Sequence, residues 1–222
     1  MNFSASHELR APEGVTPLGT PDELLEQYFK THPELIKIEH QARQVIHNTK
    51  QAVYPYQAAA LYHLARPYNG GKALEIGTAY GYSCFYLAHA MPDSQITTLN
   101  ASEGEVVEDK KVLSHFKNVE VLHRVSWEYL KESDGTAIYN FIFVDGDHKH
   151  VRMDFPFFNR LIDGGLMVFH DYSPLGSKRH CPPVYEAVNW LSDYLGREPD
   201  VLIVDCDKVG MAGFIRRAGE VI

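Results

Sequence analysis

Short apolar runs alternate with helix-like periodicity from about residue 72 onward. The apolar runs predict strands near residues 73–77, 95–100, 119–123, 139–145 and 165–170, with amphipathic segments between them. Strands that alternate with helices in this way form a parallel, doubly wound sheet. The pattern therefore predicts an α/β, Rossmann-like fold.

Two further strand-like runs lie near the end of the chain, at residues 201–204 and 210–215. Only residues 205–209 separate them, which is too short for a crossover helix. They must pair as an antiparallel hairpin. Added to the five parallel strands, the hairpin gives a seven-stranded sheet.

Helical patterns precede the sheet. Residues 1–20 are rich in glycine and proline and predict an irregular arm. A helix is expected to begin at Pro21, a second to cover residues 35–48, and a third to cover residues 57–65. We expect residues 1–52 to form an arm and a helical cap, and residues 53–222 to form the main domain.

Composition narrows the class of protein. The chain has 222 residues, is 45% hydrophobic and carries a net charge of -8, as expected for one globular domain that does not bind duplex nucleic acid. The sequence shows no signal peptide and no membrane-spanning run, so a cytoplasmic location is expected. Cys84, Cys181 and Cys206 are widely spaced, which argues against disulfides and against a thiolate zinc site.

A glycine-containing turn follows the first predicted strand. Glu75, Gly77 and Gly81 form an E-x-G-x-x-x-G pattern, and Ser83 follows in the next helix. Glycines at a strand-to-helix turn either let the backbone approach a nucleotide-type cofactor or simply serve a tight turn. A dinucleotide site needs a third glycine, as G-x-G-x-x-G, so a nicotinamide-dependent oxidoreductase is disfavoured.

Polar side chains follow the other parallel strands. The second strand ends at Asn100, the third near Ser126, the fourth at Asp145 and the fifth at His170 and Asp171. Ligands of open α/β sheets bind at these strand ends. Neighbouring strands lie about 4.8 Å apart, so Asp145 and Asp171 can face one cation; alternatively, they cap the helices that follow.

The glycine turn and the seven-stranded pattern together resemble class I S-adenosylmethionine-dependent methyltransferases, over roughly residues 53–217. Within that class the chain is similar to the small-molecule O-methyltransferases of the catechol type. The resemblance implies that the methionine portion of the cofactor is bound by the residues of the glycine turn, namely Glu75, Gly77, Thr78, Gly81 and Ser83. It also implies that Ser126 lies beside the adenine and that Trp127 offers a stacking face.

One residue departs from the family pattern. Members of the family usually end the second strand with an acid that binds both ribose hydroxyls, and Asn100 stands at that position here. An amide oxygen accepts hydrogen bonds without charge. Glu103 either reaches back to the ribose or serves as a first-turn residue of the next helix.

The resemblance also implies a metal site and a base. Asp145 and Asp171 would hold a magnesium-type ion, with His170 as a third ligand, and Asp145 would also border the cofactor. His170 suits manganese, zinc or iron better than magnesium, or else acts as a base. His148 stands where catechol-type relatives have their catalytic base, although a surface role is equally open.

Two segments near these strand ends are candidates for acceptor binding. The loop at residues 173–183 is a lid candidate whose Lys178, Arg179 and His180 either receive an anionic acceptor or keep the loop hydrated. Tyr54, Tyr56 and Gln57 stand where relatives place acceptor-side residues. Aromatic packing explains the two tyrosines equally well.

The sequence thus predicts an S-adenosylmethionine-dependent methyltransferase that acts on the oxygen of a small hydroxylated molecule, with a divalent cation such as Mg or Mn assisting. The alternative is an S-adenosylmethionine-binding module or partner subunit without turnover of its own. The helical N-terminal segment is a reasonable contact for a homodimer.

Overall fold

The computed structural model describes residues 19–47, 53–132, 135–136, 138–175, 177–207 and 209–222. Most of the predicted N-terminal arm lies outside the described residues. The second predicted helix ends at Val45, and the residues predicted to end it, up to Asn48, extend beyond the described part of that segment.

The strands are Lys72–Ile76 (β1), Gln95–Asn100 (β2), Val119–His123 (β3), Tyr139–Val144 (β4), Leu161–His170 (β5), Val201–Val204 (β6) and Gly210–Ile215 (β7). The α-helices are Pro21–Thr31 (α1), Glu34–Val45 (α2), Pro55–Ala65 (α3), Tyr82–Ala90 (α4), Glu103–Leu113 (α5), Ser126–Glu132 (α6), Ser177–His180 (α7) and Pro182–Leu195 (α8). Two 3₁₀ segments, Arg66–Tyr68 and His148–Arg160, complete the described elements.

The sheet has seven strands in the order β3-β2-β1-β4-β5-β7-β6. Strands β1 to β5 pair in parallel, and β7 lies antiparallel between β5 and β6. The chain order reverses between β1 and β4, so their carboxyl ends flank the switch point where α/β sheets bind ligands. The predicted fold, including the terminal hairpin and the N-terminal helices, is confirmed.

Strand β5 is longer than the sequence predicts. It begins at Leu161, which pairs with Tyr139 of β4, and the register shifts before Phe141 pairs with Leu166. Gly164 lies within this stretch at φ +82, so the two glycines at 164 and 165 form an irregularity inside a strand rather than the turn that their composition suggests.

Helices cover both faces of the sheet, because alternate residues of the central strands point to opposite sides. In β4, Phe141 and Phe143 join a cluster with the helices α1 to α4, whereas Ile142 and Val144 pack with the 3₁₀ segment His148–Arg160 and α8. Both faces of the central strands are therefore buried, as expected of parallel strands.

Helix α1 is well capped at its start. The Thr20 side chain accepts from the Glu23 N–H at 3.2 Å, and the Glu23 carboxylate accepts from the Thr20 N–H at 2.8 Å. None of the helices among the described residues combines the length and apolar character that crossing a membrane requires.

Candidate functional site

The glycine turn between β1 and α4 is built on close backbone packing. Gly77 has φ +101, and a Cβ at this position would lie 2.2 Å from the carbonyl oxygen of Asp145. Gly81, at φ +80, precedes the first residue of α4. Only glycine lets the end of β1 approach the end of β4 so closely, so the turn brings the predicted cofactor loop directly against Asp145.

Beneath this turn lies a buried carboxyl group, that of Glu75. It accepts from the Ser83 hydroxyl at 2.6 Å and from the Thr98 hydroxyl at 2.5 Å. The hydroxyls of Thr78 and Thr98 are 2.6 Å apart. Burial raises the pKa of Glu75 to about 7. Three predicted cofactor residues, Glu75, Thr78 and Ser83, thus form one network that fixes the shape of the glycine turn from below.

At the end of β2, both ends of the Asn100 amide are engaged by the protein. Its Oδ1 accepts from the Ser102 N–H at 2.9 Å. Its Nδ2 donates to Asp109 at 2.8 Å and to Glu105 at 3.2 Å. Glu103 is exposed in the first turn of α5. The carboxylates that approach Asn100 are therefore Glu105 and Asp109, which sequence reasoning missed although they lie on the helix that follows.

Asp109 is fully buried, and burial raises its pKa to about 7. It accepts one hydrogen bond from Asn100, while its Oδ1 has no hydrogen-bond partner among the described residues. With a pKa of about 7, Asp109 is mainly neutral below neutral pH, since a lone buried charge is costly.

Ser126 and Trp127 follow β3, as predicted, at the start of α6. The Ser126 hydroxyl donates to Asp154 at 2.5 Å, and burial raises the pKa of Asp154 to about 6. The Trp127 ring is half-buried, with its centroid 5.8 Å from that of His150. The structure therefore joins the predicted adenine side of the site to the 3₁₀ segment after β4.

Two carboxylates and two imidazoles meet at the ends of β4 and β5. The Nδ1 of His170 lies 2.9 Å from Asp145 Oδ1 and 3.3 Å from Asp171 Oδ2. The Nε2 of His148 lies 3.3 Å from Asp171 Oδ2 and 3.5 Å from Asp145 Oδ1. All four residues that the sequence predicts as metal ligands or base are thus within contact distance of one another.

Charge in this cluster shifts the pKa values of His170, Asp145 and His148. Burial by itself lowers the pKa of His170, but the carboxylates of Asp145 and Asp171 outweigh it and raise that pKa to about 10. Burial favours the neutral form of Asp145, yet the neighbouring His170 and His148 hold its pKa below the usual value. The Asp145 carboxylate raises the pKa of His148. In the absence of a cation, protonated imidazoles balance the carboxylates.

Gln57 orients His170. The N–H of Tyr54 donates to Oε1 of Gln57 at 2.9 Å, which identifies that atom as the amide oxygen, because a backbone N–H can only donate. The same oxygen lies 2.9 Å from Nε2 of His170. Nε2 must therefore carry a proton, and Nδ1 is left to face the two carboxylates.

This arrangement fits a divalent cation. Asp145, His170 and Asp171 each offer one ligand atom, and the three atoms lie within 4.8 Å of one another. Histidines that bind metals usually donate their other N–H to a carbonyl-type oxygen, as His170 does to Gln57. One nitrogen and two carboxylate oxygens suit a borderline ion such as manganese or zinc better than magnesium.

The acceptor-side candidates divide into packed and exposed residues. Tyr56 is buried, and its hydroxyl donates to Asp205 at 2.7 Å, so its position is explained by packing. Tyr54 is 54% exposed and stacks on the Tyr56 ring with centroids 6.2 Å apart. Lys178, Arg179 and His180 are exposed in the short helix α7, beside the strand ends.

A family model described as a methyltransferase domain matches residues 74–172, which includes every strand end described above. Three solved structures have a similar fold. The O-methyltransferase TomG from Streptomyces achromogenes, in complex with SAM, has a TM-score of 0.61 and 20% identity, covering 95% of this chain and 98% of that one.

The SAH-bound methyltransferase PaMTH1 from Podospora anserina has a TM-score of 0.62 and 19% identity, covering 88% of this chain and 94% of that one. An O-methyltransferase from Bacillus cereus, in complex with SAH, has a TM-score of 0.60 and 18% identity, covering 86% and 96%.

The seven-stranded sheet has the Rossmann-like fold of these methyltransferase structures. The resemblance read from the glycine turn is thereby confirmed: residues 74–172 match a methyltransferase domain, and the fold is that of solved methyltransferases.

Proposed function

We propose that this enzyme transfers the methyl group of S-adenosylmethionine to an oxygen of a small hydroxylated molecule, with a divalent cation at Asp145, His170 and Asp171. The observation that carries the proposal is the cluster of two carboxylates and two imidazoles beside the glycine turn. The resemblance of the chain's fold to solved O-methyltransferases supports the choice of oxygen as the acceptor atom.

Each residue has a distinct part in this proposal. The glycine turn, with Gly77 and Gly81, would hold the donor. The hydrogen bonds of the buried Glu75 would stabilise the conformation of this turn. Asn100 would border the ribose, and Ser126 and Trp127 the adenine. When bound, the donor supplies an electrophilic methyl group and the cation acidifies the acceptor hydroxyl.

His148 is the proposed base. Its Nε2 lies beside both carboxylates, at 3.3 and 3.5 Å. There it would take the proton of the acceptor hydroxyl, whose oxygen would accept the methyl group as the donor's sulfur leaves. A cation that offsets the two carboxylates returns the pKa of His148 toward its ordinary value, which suits proton removal near neutral pH. Alignment of donor and acceptor supplies the remaining rate enhancement.

The test is calorimetric titration with S-adenosylhomocysteine, with and without Mg²⁺ or Mn²⁺, followed by assays on a panel of hydroxylated acceptors. We expect binding without metal and methyl transfer that a chelator abolishes. Asp145→Asn should abolish the metal-dependent activity. Activity that survives both chelation and this substitution would rule out the metal's role, and no binding of S-adenosylhomocysteine would rule out the cofactor site.

A module that binds the cofactor without turnover is the second candidate. It is favoured by Asn100, whose amide is fully engaged by Ser102 and Asp109 and supplies no charge to a ribose. This candidate expects S-adenosylhomocysteine binding with no methylated product from any acceptor in the panel.

A further inference from the structure

Cys181, ten residues after Asp171 in the sequence, lies beside the cluster of carboxylates and imidazoles at the ends of β4 and β5. It immediately precedes α8, and its Sγ, the Nε2 or Nδ1 of His148 and a carboxylate oxygen of Asp171 lie within 4.8 Å of one another. Cys181 is partly buried and unpaired in any disulfide. An imidazole, a carboxylate and a thiol therefore lie close together, and Asp171 is common to this group and to the group with Asp145 and His170.

We propose that His148, Asp171 and Cys181 form a second cation site, selective for a thiophilic divalent ion of the zinc class. Asp171 would be shared with the site at Asp145 and His170. The two sites differ in chemistry, because only the second offers sulfur, the donor that zinc prefers over magnesium or manganese.

The geometry is close to what zinc requires. Bonds of about 2.0–2.3 Å in a tetrahedral arrangement place ligand atoms about 3.3–3.6 Å apart. His148 Nε2 and Asp171 Oδ2 are already 3.3 Å apart, and the upper limit of 4.8 Å for the group leaves an adjustment of about 1 Å for the thiol. Three protein ligands leave a fourth position for water.

His148 supplies an independent observation. Its Nε2 is buried, yet it forms no hydrogen bond with the described residues, since its contacts with Asp145 and Asp171 lack hydrogen-bond geometry. These ion-pair contacts leave the hydrogen-bonding capacity of a buried ring nitrogen unused. A cation between this nitrogen and Cys181 would give it one.

Binding at this site has a chemical consequence. The Cys181 thiol loses its proton to solvent as the metal–sulfur bond forms, and the His148 lone pair is occupied. If His148 is the base, as proposed above, zinc at this site inhibits methyl transfer. Only this inhibition rests on the proposed function; the cation site itself does not.

Cobalt is the probe, because Co²⁺ bound to a thiolate gives an intense near-ultraviolet charge-transfer band that oxygen and nitrogen ligands do not give. The metal-stripped full-length protein is titrated with Co²⁺. We expect the band in the wild type, its loss in Cys181→Ser, and its retention in Cys206→Ser, which removes an exposed cysteine elsewhere. Affinity for Zn²⁺ should fall by about 10-fold or more in Cys181→Ser and in His148→Ala.

Asp145→Asn separates the two proposals, because Asp145 belongs only to the first site. It should abolish metal-dependent activity and leave the cobalt band in place. If the band is missing in the wild type, or persists in Cys181→Ser, the second site does not exist, whatever the outcome of the methyl-transfer assays. Circular dichroism and thermal melting of each variant establish that it is folded.

Discussion

At the residue scale, single side chains of this site determine which atom of a neighbouring group carries a proton or forms a hydrogen bond. Gln57 is the clearest case, because one amide oxygen accepts both the N–H of Tyr54, just before α3, and the Nε2–H of His170. The sequence shows only a glutamine after a proline and a tyrosine. Its partner lies 113 positions away, and no local pattern reveals such a contact.

Gln57→Leu should free the His170 ring. Without an acceptor at Nε2, the proton can move to Nδ1, the atom that faces the carboxylates, and we expect affinity for Mn²⁺ to fall by about 10- to 100-fold. Gln57→Glu keeps an oxygen at this position and should restore most of the affinity. Mn²⁺ binding followed by electron paramagnetic resonance measures the affinity.

Nitrogen-15 NMR of the His170 ring, recorded with the diamagnetic ion Mg²⁺ present so that the ring is neutral, reports which nitrogen carries the proton. A purely structural role for Gln57 predicts that both variants lower the melting temperature equally while the tautomer is unchanged.

Asp109 should make stability depend on pH. Its pKa is raised from 3.8 to about 7 in the folded state, so the folded state holds the proton more tightly than the unfolded chain does. Its contribution to the free energy of unfolding is therefore complete below about pH 4 and is lost as pH rises to about 7. A shift of about three pKa units, at about 1.4 kcal/mol each, makes this loss on the order of 4 kcal/mol.

Asp109→Asn removes this titration. Urea unfolding between pH 4 and pH 8 should show the stability of the variant, relative to wild type, increasing with pH across that window. Glu103→Gln, in the exposed first turn of the same helix, is the control and should change little. A constant difference between Asp109→Asn and wild type would show that Asp109 is charged throughout.

At the scale of elements, the glycine turn is the place where the end of β1 packs against the end of β4. Its pattern was enough to predict the strand, the turn and the helix. The reason for Gly77, however, is contact with the Asp145 backbone, and that contact depends on β4 lying beside β1. Likewise, the predicted start of β5 at residue 165 was four residues late, because Gly164 interrupts the apolar run, whereas pairing of Leu161 with Tyr139 keeps this stretch inside the strand.

Gly70 and Gly77 have similar backbone angles but different surroundings. Alanine substitutions at the two positions therefore distinguish the cost of backbone strain from the cost of steric crowding. Gly70 has φ +90 and no atom within 4 Å of the point that a Cβ would occupy, whereas Gly77 has φ +101 and a contact at 2.2 Å. Gly70→Ala should cost about 1–2 kcal/mol. Gly77→Ala should cost at least about 3 kcal/mol, because overpacking adds to the strain.

Denaturant unfolding measures both costs. Gly77→Ala should also weaken S-adenosylhomocysteine binding, which Gly70→Ala should leave unchanged. Equal costs for the two variants would mean that β1 and β4 can separate without penalty.

For the whole molecule, long-range contacts tie the N-terminal helices to the sheet. The sequence predicted helices α1 to α3, the seven-stranded sheet and most of the strand-end residues, because periodicity and turn composition are local. It did not predict that Tyr56 would bond Asp205 near the end of the chain, or that Cys181 would reach His148 and Asp171. Those contacts follow from the assembled topology.

Glu39 is the polar link between α2 and α4. It is 7% exposed and accepts from the hydroxyls of Tyr82 and Tyr86, while Arg43 donates to its other oxygen at 2.5 Å. Glu39→Ala would leave two buried tyrosine hydroxyls without their acceptor. We expect a loss of about 2–4 kcal/mol in the free energy of unfolding.

This link should also affect the cofactor site, because Tyr82 is the first residue of α4 and follows Gly81 of the glycine turn. Glu39→Ala should therefore weaken S-adenosylhomocysteine binding as well as stability, both measured on the same preparation by calorimetry and by urea unfolding. Glu108→Ala removes an exposed partner of Lys111 at 4.0 Å and should change either quantity by less than about 0.5 kcal/mol. If Glu39→Ala lowers stability but leaves ligand affinity at the wild-type value, the N-terminal helices support the fold without shaping the donor site.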